Sequence, residues 1–142
     1  MDRLTQPLKT QGVQHVQFNF SFVGAGAAAP TLGEGDPNGS YIKTITRNSQ
    51  GNYSFTTVDK FLAVVTNDGS YNAATVTTSW SVMFGLPSQN SDGTWTFNFV
   101  TYVSNTGTAT DIIASDLVSI QITFRNSLVK PKGEPWISPA LR

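Results

Sequence analysis

Apolar and polar residues alternate with a period of two along several short stretches of this chain. Between His15 and Val23 the apolar side chains occupy every second position, as do those between Leu117 and Arg125. A strand places successive side chains on opposite faces, so both stretches predict half-buried antiparallel strands. Their inward residues are predicted to be Val16, Phe18, Phe20 and Phe22 in the first, and Val118, Ile120, Ile122 and Phe124 in the second.

A β-hairpin is predicted near the middle of the first half. The stretch from Ser40 to Arg47 alternates, and Asn48-Ser49-Gln50-Gly51 then offers residues that tolerate a positive φ angle. The next strand opens with Gly51-Asn52-Tyr53-Ser54-Phe55. Two alternating stretches around such a turn are typical of paired antiparallel strands.

Three further strands follow from the same pattern. We expect a short strand over Phe61 to Thr66 ended by a turn at Asn67-Asp68-Gly69-Ser70, a strand over Ala74 to Phe84, and one that places Trp95, Phe97 and Phe99 on one face. Thr106 to Ala114 is predicted to be a loop, with a candidate helical turn over 111–114. The predicted core aromatics are Phe18, Phe20, Phe55, Trp80, Phe97 and Phe124, and an aromatic ligand platform is the alternative interpretation of this set.

Short strands separated by turns, with no helical period, predict an all-β sandwich or barrel. The 142 residues suffice for one domain. We divide the chain into an extended N-terminal arm (1–12), a β-domain (13–128) and a proline-rich C-terminal arm (129–142). The aperiodic stretch from Gly24 to Gly39 is predicted to be a long loop.

Few residues of the chain are charged. The charged fraction is 13%, against about 25% in an average soluble protein, and the formal net charge is zero. Such a chain has no long-range attraction to nucleic acid or to an anionic membrane, so we expect neither as a partner. With no cysteine, stability must come from packing and assembly. The N-terminus does not resemble a signal peptide, which predicts synthesis in a cytoplasm.

The sequence does not assemble a catalytic or metal-binding motif. His15 is the only histidine and has no recognisable nucleophile or acid partner, and a zinc site would need more histidines or cysteines. Two carboxylate pairs, Asp111 with Asp116 and Glu34 with Asp36, are expected to bond nearby backbone N–H groups. Calcium binding at Asp111 and Asp116 is the alternative. We therefore predict no enzymatic activity and no cofactor.

The C-terminal arm is the predicted partner-binding segment. Pro131, Pro135 and Pro139 prevent a helix and favour an extended path. Large apolar side chains in such a segment usually mark an interface, unless they fold back onto their own domain. The residues expected to contact a partner are Lys130, Lys132, Pro135, Trp136 and Ile137.

Three segments of the chain resemble a known family. Val16-Gln17-Phe18-Asn19-Phe20, then Gly51-x-Tyr53-x-Phe55, then Ser115 to Ile122 occur in the order found in complement-like and tumour-necrosis-factor-like jelly rolls. The hairpin over 39–47 and the run Thr108-Ala109-Thr110-Asp111 are similar to those of phage head-decoration and fibre-associated proteins. The resemblance implies an antiparallel jelly-roll sandwich that assembles as a homotrimer. A preceding collagen-like stalk is absent from the sequence, which argues against a complement-type protein.

This resemblance leads to two functional hypotheses. The first is a structural virion protein that decorates or cements a tailed-phage head by binding the major capsid protein, and that leaves its host cytoplasm on the assembled particle. The second is a receptor-binding module of a tail fibre or spike that recognises a host surface glycan. Arms that dock at capsid junctions would favour the first, and a shallow polar groove would favour the second.

Overall fold

The computed structural model describes residues 5–10, 13–36, 39–76 and 78–125 of the 142-residue chain. These residues form strands and connecting segments without a helix. The strands are β1 (Thr5–Thr10), β2 (Val13–Val23), β3 (Thr31–Leu32), β4 (Ile42–Ser49), β5 (Asn52–Thr57), β6 (Ala63–Asn72), β7 (Trp80–Phe84), β8 (Ser88–Gln89), β9 (Trp95–Val103), β10 (Thr108–Ala109) and β11 (Leu117–Arg125).

Two antiparallel sheets pack face to face as a β-sandwich, which confirms the predicted all-β fold. Sheet A has the order β1-β2-β11-β6, with β3 also paired to β2. Sheet B has the order β10-β9-β5-β4, with β7 and β8 also paired to β9. The chain changes sheet after β3, β5, β6 and β10. The jelly-roll winding stays a prediction.

The alternating pattern sets the register of the central strands. In sheet A, Phe18 lies opposite Ile122 and Phe20 opposite Ile120, so that the apolar faces of β2 and β11 point the same way. In sheet B, Phe55 lies opposite Phe97 on the adjacent strand. A slip by one residue would turn each apolar face to solvent, and the buried faces therefore specify the pairing.

Aromatic rings fill the space between the two sheets. Phe55 and Phe97 stack with centroids 5.0 Å apart, and Phe61 and Phe124 stack at 3.9 Å. Contacts such as Phe20 with Phe55, at 5.7 Å edge to face, join sheet A to sheet B. Five of the six predicted core aromatics are buried: Phe18, Phe20, Phe55, Phe97 and Phe124.

Trp80 was wrongly predicted to be a buried core residue. It is only partly buried, and it stacks on Tyr71 with centroids 4.3 Å apart and planes 9° from parallel. This contact lies between the first residues of β7 and the last residues of β6, at the margin of the sandwich. The alternating pattern identified the face of Trp80 but could not show how near the strand lies to the edge of the core.

The turn predicted at Asn67-Asp68-Gly69-Ser70 is wrong. These residues lie inside β6, which pairs with β11 from Ala63 to Asn72 with a register shift near Phe124. An added Cβ at Gly69 would lie 3.0 Å from the Phe84 ring and 3.2 Å from Ile120, so that these side chains would have to shift to make room for it. The Asp68 carboxylate accepts the Gly69 N–H at 2.8 Å. Pairing with a long neighbouring strand outweighed the local turn preference of these residues.

The long strand predicted over Ala74 to Phe84 is also wrong in its first half. Only Trp80–Phe84 form β7. Val76, within the predicted strand, is 90% exposed in the segment that precedes β7. The candidate helical turn over 111–114 does not form either, because this stretch is irregular.

The structure describes part of the predicted N-terminal arm. Within residues 1–12, Thr5–Thr10 form β1 and pair with β2, with Pro7 opposite Val16. Proline is compatible with an edge strand, where its missing N–H faces away from the sheet. The C-terminal arm, 129–142, lies outside the described residues.

Candidate functional site

Three loops meet at one end of the sandwich, and we call this region the clamped end. It consists of loop 24–30 after β2, the described residues of loop 73–79 after β6, and loop 110–116 before β11. Loop 110–116 crosses from sheet B to sheet A. One tyrosine from each sheet, Tyr53 of sheet B and Tyr71 of sheet A, accepts a backbone N–H of this loop. Each of the two hydroxyls also donates to an aspartate of the same loop.

The Asp111 carboxylate holds the first half of loop 110–116. It accepts two hydrogen bonds from the Arg47 guanidinium, both 2.8 Å, and one from the Gly51 N–H at 2.9 Å. The Tyr53 hydroxyl donates to the same carboxylate at 3.1 Å and accepts the Ile112 N–H at 2.9 Å. Asp111 therefore ties loop 110–116 to the β4–β5 hairpin that the sequence predicted.

The second half of loop 110–116 repeats this arrangement with sheet A. The Tyr71 hydroxyl donates to Asp116 at 2.7 Å and accepts the Ile113 N–H at 3.0 Å. The other oxygen of Asp116 accepts the Ala74 N–H at 2.8 Å. Asp116 thus joins loop 110–116 to β6 and to the loop that follows it.

Backbone hydrogen bonds bring loop 24–30 into the same structure. The Gly24 N–H donates to the Asp116 carbonyl at 2.8 Å, and the Ser115 N–H donates to the Gly24 carbonyl at 3.1 Å. A Cβ at Gly24 would lie only 2.2 Å from the Ile113 carbonyl oxygen, so the close approach requires glycine. Ser115 has a φ of 74°, which glycine adopts more readily than serine.

The hydrogen bonds shift the pKa values of the groups that form them. The bond from Arg47 is the main reason that the pKa of Asp111 falls from 3.8 to about 2. Burial is the largest cause of the raised pKa of Tyr71 and of the raised pKa of Tyr53. Asp111 is therefore ionised and both phenols are protonated at neutral pH.

Both aspartates bond backbone N–H groups, as the sequence predicted, but these groups belong to Gly51 and Ala74, which are 60 and 42 residues away along the chain. Each also binds a tyrosine hydroxyl, and Asp111 binds an arginine. The oxygens that the calcium alternative requires thus already accept hydrogen bonds. Within the residues that the structure describes, no three histidine or acidic side chains form a group that could hold a metal ion.

The second predicted carboxylate pair, Glu34 and Asp36, is split between two environments. Asp36 is 1% exposed, and its carboxylate accepts the backbone N–H groups of Ser40, Tyr41 and Ile42. Glu34 is exposed. Asp36 therefore holds the start of β4 in place, whereas Glu34 remains accessible to a ligand.

A shallow groove of about 480 Å³ crosses the outer face of sheet A. Its lining belongs to β2, β6, β11 and the segment after β3 and contains both polar and apolar groups. The groove residues with carboxylate, amide or hydroxyl side chains are Asn19, Ser21, Glu34, Asp68, Ser70, Ser119 and Gln121. Such a groove can hydrogen-bond a polar ligand but lacks an aromatic ring on its exposed face.

His15 does not join these sites in the structure. His15 lies opposite Arg125 near the start of β2, nine residues before Gly24, or roughly 30 Å at 3.3 Å per residue. The predicted partner-binding residues Lys130, Lys132, Pro135, Trp136 and Ile137 lie outside the described residues.

Sequence reasoning missed the roles of Arg47, Tyr53 and Tyr71. Tyr53 was noticed as part of the Gly51-x-Tyr53-x-Phe55 motif, but its alternation predicts only an inward ring. Its partner Asp111 lies 58 residues away along the chain. No local spacing indicates such a pair.

The described part of the chain contains no helix that could cross a bilayer. Comparisons of the whole chain with protein-family models, with curated proteins and with solved structures each found no match.

Proposed function

We propose that this chain is a structural virion protein that decorates or cements a phage head. It would bind the major capsid protein as a homotrimer, and the C-terminal arm would supply contacts from Lys130, Lys132, Pro135, Trp136 and Ile137. The proposal starts from the resemblance of the sequence to jelly-roll virion proteins. The structure adds one observation in its support.

That observation is that three aspartates are hydrogen-bonded within the chain. Asp36, Asp111 and Asp116 belong to the carboxylate pairs noted in the sequence, and each is bonded to groups of its own chain. All three bonds hold loops or strand ends in position. A protein whose polar side chains brace exposed loops is suited to a rigid structural part, because rigid surfaces lose little entropy when they bind.

The test is whether the chain is part of the particle. Antiserum against the chain should detect it in gradient-purified, DNA-filled heads that lack tails, at a constant ratio to the major capsid protein across the gradient peak. Purified chain added to heads that lack it should co-sediment with them. Detection only in the soluble fraction, with no co-sedimentation, would rule out the decorating role.

Glycan recognition is the second candidate function, and the groove on sheet A supports it. Carboxylate, amide and hydroxyl groups are the usual hydrogen-bonding partners of sugar hydroxyls, and a volume of about 480 Å³ lies within the range of small-ligand sites. Under this hypothesis the exchange of Asn19 and Gln121 for alanine abolishes binding to host-surface glycans and leaves co-sedimentation with heads unchanged. Under the decorating role, removal of the C-terminal arm should weaken co-sedimentation with heads, whereas the substitutions in the groove should leave it unchanged.

A further inference from the structure

The groove on the outer face of sheet A carries charge of one sign only. Its floor consists of two polar rows that cross β2, β11 and β6: Asn19 with Gln121 and Asp68, and Ser21 with Ser119 and Ser70. Among the described residues that line the groove, Glu34 and Asp68 are the only ionisable ones, and none is basic. The chain as a whole has a formal net charge of zero. The groove therefore favours a cationic ligand, although the whole molecule does not attract cations.

One wall of the groove is the segment after β3, which is fixed against β2. The Ser21 N–H donates to the Glu34 carbonyl at 2.9 Å. A Cβ at Gly35, whose φ is 90°, would lie 2.3 Å from the Asn19 carbonyl oxygen, so the close approach requires glycine. The next residue, Asp36, is buried and bonded to the start of β4. The backbone of Glu34 is therefore held beside the groove, while its side chain is exposed.

Asp68 lies on the opposite side of the groove. One of its carboxylate oxygens accepts the Gly69 N–H at 2.8 Å, and the pairing of β6 with β11 places it opposite Gln121. The strands β2 and β11 separate β6 from the segment that carries Glu34, so the two backbones are roughly 14 Å apart at about 4.8 Å per strand. One small cation cannot bind both carboxylates at this separation. A ligand with a positive group near each end can.

We propose that the groove binds a short oligosaccharide whose sugars bear protonated amines. The inference rests on the glycan-recognition candidate above, and names the class of sugar. The hydroxyl groups of such a ligand would bond the amide and hydroxyl side chains of the floor. Its terminal amines would pair with Glu34 on one side and with Asp68 on the other. An acidic sugar would be repelled by both carboxylates.

Isothermal titration calorimetry of the full chain with two trisaccharides tests this inference. The trimers of glucosamine and of N-acetylglucosamine have the same length, and acetylation removes the positive charges. At slightly acid pH the glucosamine trimer should bind about tenfold more tightly, since two exposed ion pairs each contribute a few-fold.

A double variant and a control connect this preference to the groove. Glu34→Gln combined with Asp68→Asn should abolish the preference, and an asparagine at position 68 can still accept the Gly69 N–H. Asp92→Asn is the control, because it removes a carboxylate that does not line the groove. That variant should keep the preference of the parent chain.

Equal affinity of the parent chain for the two trimers, or an unchanged preference in the double variant, would overturn the inference. Spermidine, a polyamine without hydroxyl groups, should bind more weakly than the glucosamine trimer, and equal binding would refute a sugar ligand. If neither trimer binds, the inference fails. Glycan recognition would survive that failure if host-surface glycans still bind and the exchange of Asn19 and Gln121 for alanine abolishes their binding. Co-sedimentation with heads tests the decorating role separately.

Discussion

Two tyrosines each make a pair of hydrogen bonds that no other residue type could make at the same position. The hydroxyl of Tyr53 donates to Asp111 and accepts from the Ile112 N–H, and that of Tyr71 does the same for Asp116 and Ile113. A phenol can reach from a strand interior to the loop while its ring remains in the core. The rings thus contribute to packing and the hydroxyls to the loop conformation.

Removing one hydroxyl should therefore destabilise the subunit. Tyr53→Phe leaves the Ile112 N–H without its acceptor, and Ile112 is fully buried. We expect the free energy of unfolding to fall by about 1–3 kcal/mol in urea titrations, the usual cost of an unsatisfied buried group. Tyr102→Phe, on the outer face of β9, is the control, with an expected change below about 0.5 kcal/mol. Equal effects of the two changes would contradict the bracing role.

The Asp111 carboxylate should make stability depend on acid pH. Its pKa in the folded chain is about 2, below the ordinary 3.8 of an unfolded chain, because Arg47 binds the ionised form. A lowered pKa stabilises the fold above pH 4, and this contribution is lost as the pH falls from about 4 towards 2. The melting temperature of Asp111→Asn should lie below that of the parent at pH 7. The two curves should converge between pH 4 and 2, and a constant difference over this range would refute the assigned pKa.

At the scale of the elements, two strands of sheet B differ in how deeply they bury their aromatic residues. Phe97, on the central strand β9, has no exposed surface and stacks on Phe55. Trp80, at the start of β7, is partly exposed and packs mainly on Tyr71. Position within the sheet therefore decides how much each ring contributes to stability.

Alanine substitutions should separate these two positions. Phe97→Ala should cost about 3–5 kcal/mol because it leaves a cavity between the sheets. Trp80→Ala should cost roughly 1–3 kcal/mol, from a lost stacking contact and partial burial. Chemical denaturation of both variants measures the difference. A larger loss for Trp80→Ala would mean that the margin between β6 and β7 carries more of the core than the structure shows.

At the scale of the whole molecule, several charged residues lie at the end of the sandwich opposite the clamped end, which we call the charged end: Lys43, Lys60, Asp92 and Arg125. The arm follows β11, whose last residue, Arg125, lies opposite Ala63 at the charged end. The described part of β11 therefore leads away from the clamped end.

Removal of Val129 to Arg142 should weaken head binding and leave the oligomer intact. The three prolines favour an extended arm, Trp136 is a large apolar anchor, and Lys130 and Lys132 can pair with an acidic capsid surface. Co-sedimentation and thermal unfolding of the truncated chain are the measurements. A lower melting temperature together with weaker binding would mean that Trp136 covers its own sheet. Normal binding by a stably folded truncation would refute the role of the arm.

The sequence alone determined the all-β class, the β4–β5 hairpin, the central strands β2, β9 and β11, and most of the core aromatics. These features depend on alternation over a few neighbouring residues, which a strand converts directly into buried and exposed faces. The two failures at β6 and β7 have the same origin. The turn preference of Asn67 to Ser70 is a local signal, and the pairing of β6 with β11 overrode it. The alternation from Ala74 onward is also a local signal, but only Trp80–Phe84 pair with β9.

The clamped end was decided only by the tertiary structure. Arg47 and Tyr53 belong to the β4–β5 hairpin, and Asp111 belongs to loop 110–116, far away in the sequence. Tyr71 meets Asp116 only because β6 pairs with β11. The exposure of Val76 also depends on where β6 ends and β7 begins. Alternation records which face of a strand a residue occupies, but the loops acquire their positions from contacts between strands that the chain brings together in three dimensions.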